Sequence, residues 1–238
     1  MSLIKRTPRP LTRDTSKFRD DRLFVVACDD RYAPSQYFSF FEIERVKVFV
    51  VPTEDGTSSA PHVLDRLLRF DLDSDDERWM LLDTDHCIKG SHLGSYTEAL
   101  QRARQAGVKV ALSNPCFELW LLLHHVEPQD VAMLKQASKV EEELKRVLGG
   151  YNKTMLKKEN FPIETVPVAC ERARELDTDG NGGDVPLTVT TRVYKLLEAL
   201  ASAVSFLQVP EALRTIRGTG ERASGLLDIK TETQATEG

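Results

Sequence analysis

Cysteine is scarce in this chain and poorly placed for cross-linking. Cys28, Cys87, Cys116 and Cys170 are scattered, with no CxxC pair. That spacing excludes a zinc-finger pattern and a disulfide scaffold, and suits reduced thiols in a cytoplasm. A glycine-rich phosphate loop is also missing, so nucleotide hydrolysis by a P-loop is not expected. No apolar run approaches the ~18–20 residues of a membrane span. The first residues, MSLIKRTPRPLTR, are basic but lack the apolar core of a signal peptide. A cytoplasmic protein with no membrane partner is therefore expected. Positive charge is not in excess: 32 Lys and Arg stand against 37 Asp and Glu, a net −5. A protein that coats polyanions in general is disfavoured. No internal repeat is visible.

What remains is a chain of 238 residues, 41% hydrophobic and 29% charged, long enough to bury roughly 70% of its unfolded surface without metal or disulfide. Residues 1–22 form a basic arm, with seven basic side chains against Asp14, Asp20 and Asp21. Short apolar runs then alternate with helical patterns. Leu23–Cys28, Val46–Val51, Trp79–Leu82 and Val108–Leu112 read as strands. Ala33–Ile43, Ala60–Phe70 and Leu93–Ala106 read as helices, the last closed by Gly107. This order predicts an α/β fold, a mostly parallel four-stranded sheet flanked by helices, over residues 23–125. After residue 113 the strands stop. Pro115–His125, Glu127–Leu148, Glu164–Leu176 and Leu187–Leu207 read as helices, so a helical C-terminal region is expected to pack on the core over residues 126–217. Residues 218–238 read as a loose tail.

The acids fall at strand ends. The first strand runs into Asp29-Asp30, the third into Asp83-Thr84-Asp85, and the fourth into Ser113-Asn114-Pro115 with Glu118 just beyond. In a parallel sheet these ends share one edge, where ligands bind. Asp83 and Asp85 point to the same side in extended chain. Two carboxylates so close either share a proton or hold a cation. Oxygen donors with room for water suit Mg²⁺ or Mn²⁺. Glu118 is the only charge in Pro115–Leu123, a stretch that is apolar all round and reads as buried. It is either held by the helix dipole and a nearby arginine or turned to the metal edge, with Asn114 as helix cap and Pro115 as first helical residue. His124 and His125 follow as helix-end residues or site contacts. Asp85-His86-Cys87 matches no standard zinc spacing. The loop with Tyr151, Lys153, Lys157 and Lys158 is either solvated or holds a phosphate.

These residues resemble a known family. Ser113-Asn114-Pro115-Cys116-Phe117-Glu118-Leu119-Trp120-Leu121-Leu122-Leu123-His124 is similar to the SNPxFExWLLLH segment of RloB-like proteins, which have a TOPRIM-like Rossmannoid fold. Leu81–Asp85 resembles their DxD strand end, and Tyr151-Asn152-Lys153 a downstream tyrosine–lysine motif. The likeness covers about residues 5–200. One position departs: Asp29-Asp30 stands where the family shows a glutamate–glycine pair, and Ala33-Pro34 replaces Thr-Glu. Aspartate is one methylene shorter, which leaves its carboxylate ~1 Å short, a displacement that can cost ~100-fold in rate.

The resemblance implies a divalent-metal-dependent nuclease acting on RNA or DNA, with transfer RNA among the candidates, as the effector of an anti-phage, abortive-infection system. It implies Mg²⁺ or Mn²⁺ held by Asp83, Asp85, Asp29 and Glu118, the same four being the catalytic candidates. It implies Asn114, Lys153, Arg31 and His124 as substrate contacts, an ATPase encoded in the same locus as partner, and leaves a homo-oligomer open. Two other readings stand beside it. One is a degenerate scaffold or sensor that binds an ATPase or nucleic acid without cutting. The other is a phosphatase with Asp83 as nucleophile, resembling haloacid-dehalogenase-like enzymes.

Overall fold

The computed structural model describes residues 21–51, 53, 58–85, 92–178 and 185–217. The arm expected over residues 1–22 lies outside them but for its last two residues, and so does the tail expected over 218–238. His86 and Cys87 lie outside them as well.

Short apolar runs, β-branched in β1 and β2, give the strands β1 (Arg22–Cys28), β2 (Val46–Val51), β3 (Glu77–Asp83) and β4 (Lys109–Asn114). They pair in parallel in the order β2-β1-β3-β4. A two-residue strand β5 (Thr190–Thr191) adds antiparallel to β4, so the sheet is five-stranded and mixed. This corrects the expected four strands. Thr188-Val189-Thr190-Thr191 sits inside the segment expected to be one helix over Leu187–Leu207, but four consecutive β-branched side chains favour extended chain. The helix there is only Val193–Ser202.

The helices between the strands are α1 (Ala33–Ser39), α2 (Ala60–Leu68) and α3 (His92–Gln105). Helix α1 ends short of Ile43 because Ser39 Oγ donates to the Gln36 carbonyl at 2.7 Å and Phe40 closes the last turn on Tyr37. Gly107, at φ +69°, reverses the chain after α3, and Val108 N bonds Ala103 O at 2.8 Å.

Beyond β4 come α4 (Glu118–Leu122), α5 (Pro128–Val131), α6 (Ala137–Leu148), α7 (Val166–Leu176) and α8 (Val193–Ser202). The single helix expected over Glu127–Leu148 is two. Its buried residues Val131 and Val140 are nine positions apart (140 − 131), two and a half turns, so one straight helix would put them on opposite faces. Breaking the chain between them turns both inward.

Each face of the sheet carries its own core. Phe24, Val26, Trp79 and Leu81 pack under α1, α4, α6, α7 and α8. Val25, Ala27, Met80 and Leu82 pack under α2 and α3. The first core joins residues on both sides of position 125, including Val140, Leu144, Cys170 and Leu196. Among the described residues, no helix is long and apolar enough to cross a membrane.

Candidate functional site

Parallel pairing places the carboxyl ends of β1, β3 and β4 side by side, with Asp83 opposite Ser113 in register. The backbone then ties the three exits together. Thr84 N donates to the carbonyls of Ser113 and Pro115, and Asp85 N donates to Pro115 O at 3.2 Å. The aspartate pair is thereby fixed to the start of the SNPCFE segment.

The edge opens into a cleft of about 1140 Å³ whose lining includes Asp29, Asp83, Asp85, Glu118, Asn114 and Lys153. Arg31 also lines it. Seven of the eight residues expected at the site are thus brought to one cavity. Asp29 uses both carboxylate oxygens on the chain's own amides: Oδ1 accepts from Asp30 N at 3.0 Å and Oδ2 from Asp83 N at 2.9 Å. Burial raises its pKa to about 7, against the pull of those N–H donors. Asp83 is pushed well above the usual carboxylate range, first by burial and then by the charges of Asp29, Glu118, Asp85 and Asp30. Glu118 is raised as well, by burial and by Asp30. The edge therefore concentrates more negative charge than the protein alone stabilises.

Glu118 is the first residue of α4, a five-residue helix. Pro115 follows a cis bond from Asn114, and the residue before α4 is Phe117, so Asn114 does not cap the helix. A helix that short contributes little dipole. Glu118 is held instead by the Tyr151 hydroxyl, which donates to Oε1 at 3.0 Å. The arginine considered from sequence has no part in this contact. Asn114 belongs to β4 and spends its amide on the carbonyls of Pro186 and Thr188, both at 2.9 Å. That clamp brings β5 onto the sheet.

Lys153 approaches the carboxylates from the C-terminal region, its Nζ 3.7 Å from Asp30 Oδ2. Burial lowers its pKa, but the charges of Asp30, Glu118, Glu141 and Asp83 outweigh this and raise it. Gln36 of α1 holds the loop. Its Nε2 donates to Lys153 O at 2.8 Å and its Oε1 accepts from Leu156 N at 2.8 Å.

His124 is not at the cleft, contrary to expectation. It is 5% exposed and sits among Tyr37, Trp120 and Phe161. Thr165 Oγ1 donates to Pro162 O, so it accepts from His124 Nδ1 at 2.7 Å, and Tyr37 O–H donates to Nε2 at 3.0 Å. These partners assign the neutral tautomer. Burial lowers the His124 pKa to about 3. Ser113, near the end of β4, pairs with Thr191 Oγ1 at 2.9 Å.

Two contributors were named from the sequence but not placed among the expected site residues. Asp30 accepts the N–H groups of Tyr32 and Ala33, opening α1, and faces Lys153. An aspartate three residues ahead of an Ala-Pro helix start was the available signal. Tyr151 was noted only as part of a motif, and its partner Glu118 is unreadable from spacing alone.

Among the described residues, no group of three or more His, Cys, Asp or Glu side chains is arranged to hold a metal ion. The donor set nonetheless fits Mg²⁺ in kind. That ion takes hard oxygen donors, needs only one or two carboxylates, and keeps several waters. Zinc, which takes nitrogen and sulfur, fits poorly.

No curated protein and no solved structure matches the chain. A family of RloB-like proteins matches over residues 24–200, more than half of the chain and a span that includes every cleft residue discussed above. The SNPCFELW segment, the DTD strand end and the tyrosine–lysine loop that build the cleft all lie inside that match, and the chain belongs to the RloB-like protein family.

Proposed function

We propose that this protein is a TOPRIM-like, divalent-metal-dependent phosphodiesterase that cuts RNA or DNA. The observation that carries the reading is Asp83: a carboxylate raised well above its usual range first by burial and then by Asp29, Glu118, Asp85 and Asp30, which crowd it at the carboxyl edge of a parallel sheet. Such crowding favours a bound cation. Asp83 and Asp85 would hold it, with Glu118 beside them. A bound Mg²⁺ or Mn²⁺ supplies polarisation of a phosphate and a lowered pKa for a bound water.

The chain's own groups do the rest. Lys153 brings a positive charge to the acids and is placed by Gln36 to meet a phosphate oxygen. Tyr151 orients Glu118 and keeps its carboxylate ionised more readily. Asp29, near half-ionised at neutral pH, is suited to accept or return a proton. The family resemblance supplies nucleic acid as the phosphodiester, a partner ATPase from the same locus, and a role in anti-phage defence.

A non-cutting scaffold is the second reading, and Asp29 favours it. Both of its oxygens already serve backbone amides, which is a structural use of the position where the family shows glutamate. Mn²⁺ titration followed by electron paramagnetic resonance separates the two, with Asp83→Asn beside the wild type. Binding that is lost in the mutant supports the metal-dependent reading. No binding at millimolar metal overturns it in favour of the scaffold. In cells, Asp83→Ala and Glu118→Ala are each expected to abolish toxicity.

A further inference from the structure

The alternation along β3 gives the cleft two sides. Trp79 and Leu81 belong to the core under α4, and Met80 and Leu82 to the core under α2 and α3. Asp83 ends β3 on the α4 side, and Thr84, whose N–H continues the ladder to Ser113 O, follows on the side of α2 and α3. Thr84 lines the cleft, is 0% exposed, and its Oγ1 has no hydrogen-bond partner among the described residues. A buried hydroxyl left unpaired is unfavourable, and nearly all such groups in folded proteins find a partner.

The first turns of two helices line the same cavity, through Ser59 and Ala60 of α2 and through His92 and Ser95 of α3. Ser59, the residue capping α2, makes no capping bond; its Oγ pairs with His62 Nδ1 at 2.8 Å instead. Val63 N is the first amide of α2 to bond back, to Ser59 O at 3.0 Å. The amides of Ala60 and His62 ahead of it have no acceptor within the helix. Both helices direct the positive ends of their dipoles to this side of the strand end.

An unpaired buried hydroxyl, helix amides with no acceptor in their own helix, and partial positive charge describe an acceptor-rich anion and not a cation. We propose that the pocket between Thr84 and the first turns of α2 and α3 binds a phosphate group, with the Thr84 hydroxyl donating to it. The inference deepens the phosphodiesterase reading and rests on it for the ligand's source: a phosphate of the substrate strand beside the one at the carboxylates. A free phosphate has the same chemistry.

The test measures ³¹P line broadening of inorganic phosphate, and separately of a thymidine dinucleotide, in metal-free buffer with chelator. Thr84→Val is isosteric and removes the unpaired hydroxyl, so it is expected to fold at least as stably as wild type. It is expected to weaken phosphate binding about tenfold or more, and Thr84→Ser to retain it. Asp83→Asn removes a negative charge across the strand and is expected to keep or tighten binding. Dinucleotide binding sensitive to Thr84→Val identifies a strand phosphate; sensitivity with inorganic phosphate alone identifies a free or terminal one. Absence of binding to both wild type and Asp83→Asn overturns the proposal. Equal binding by Thr84→Val, or loss only in Asp83→Asn, also overturns it. Because no metal is present, a failed Mn²⁺ titration and a failed phosphate titration are separate results.

Discussion

Asp29 Oδ2 accepts the backbone N–H of Asp83 at 2.9 Å. One acid of the site thus fixes the main chain that carries another, and ties the end of β1 to the end of β3. Its Oδ1 meanwhile accepts Asp30 N, so the side chain sets the turn after β1 as well. A glutamate, one methylene longer, reaches further into the cleft but cannot make both short-range contacts in the same way. The aspartate therefore exchanges reach for a strand tie.

Two substitutions isolate that tie. Asp29→Asn and Asp29→Ala remove the same charge, but asparagine keeps one acceptor oxygen for the amides of Asp30 and Asp83. Asp29→Asn is expected to be more stable than Asp29→Ala by about 1–3 kcal/mol, read from urea midpoints at a common slope. Equal midpoints for the two variants would remove the structural role of Asp29.

Titration of Asp29 gives a second outcome. Its folded pKa, about 7, lies above the ordinary 3.8. Between those values the folded state holds a proton that the unfolded chain has lost. Stability from this group therefore falls as pH rises through the window and levels off above it, with a slope of at most about 1.4 kcal/mol per pH unit. Asparagine does not titrate, so the stability of Asp29→Asn relative to wild type is expected to grow from pH 4 to pH 7. On the metal-dependent reading, millimolar Mg²⁺ offsets the loss in wild type, giving a larger rise in Tm at pH 8 than at pH 5. Melts that show no pH dependence in this difference would contradict the raised pKa.

Much of this arrangement was legible in the sequence, and the reasons differ by element. Two of the four parallel strands are the β-branched runs VKVFVV and LFVVAC, and the other two show as short apolar runs between helical patterns. Asp83, Asp85 and Asp29 could be placed on one edge because β-α alternation forces parallel pairing. β5 was hidden because two residues give no periodic signal; its pairing comes from Asn114 reaching Pro186 and Thr188. His124 misled because a histidine ending an apolar helix can face inward or outward, and only the positions of Tyr37 and Thr165 decide. Glu118 was singled out correctly as an unusual buried acid, but its support comes from Tyr151 and not from a helix dipole.

The Tyr151 hydroxyl stabilises the ionised form of Glu118, lowering a pKa that burial raises. Tyr151→Phe keeps the ring and removes the donor. Glu118 then needs a higher pH to ionise. If Glu118 contributes to the metal, the acid limb of Mn²⁺ binding is expected to move up by as much as about one pH unit. The Mn²⁺ resonance titration repeated from pH 5 to pH 8 reads this directly. An unmoved limb would take Glu118 out of the metal-binding set while leaving Asp83 in it.

Away from the cleft, His124 makes acid stability predictable. The neutral ring accepts from Tyr37 O–H and donates to Thr165, and its folded pKa is near 3. An unfolded histidine titrates near 6.5. Between these values the unfolded chain binds the extra proton, so stability rises with pH and is lost as pH falls below about 6.5. At pH 5 the loss is about 2 kcal/mol. The double variant Tyr37→Phe with His124→Phe removes the titrating ring without leaving the tyrosine hydroxyl unpaired, and retains the aromatic packing against Trp120 and Phe161. It is expected to lose less stability than wild type between pH 7 and pH 5, whatever its stability at pH 7. Asp29 titrates in the opposite sense over part of this range, and because the double variant leaves Asp29 in place its contribution cancels in the comparison. Parallel acid slopes for wild type and the double variant would mean that His124 takes up a proton in the folded protein, and the Tyr37–His124–Thr165 chain would then have to be donor-rich and rearranged.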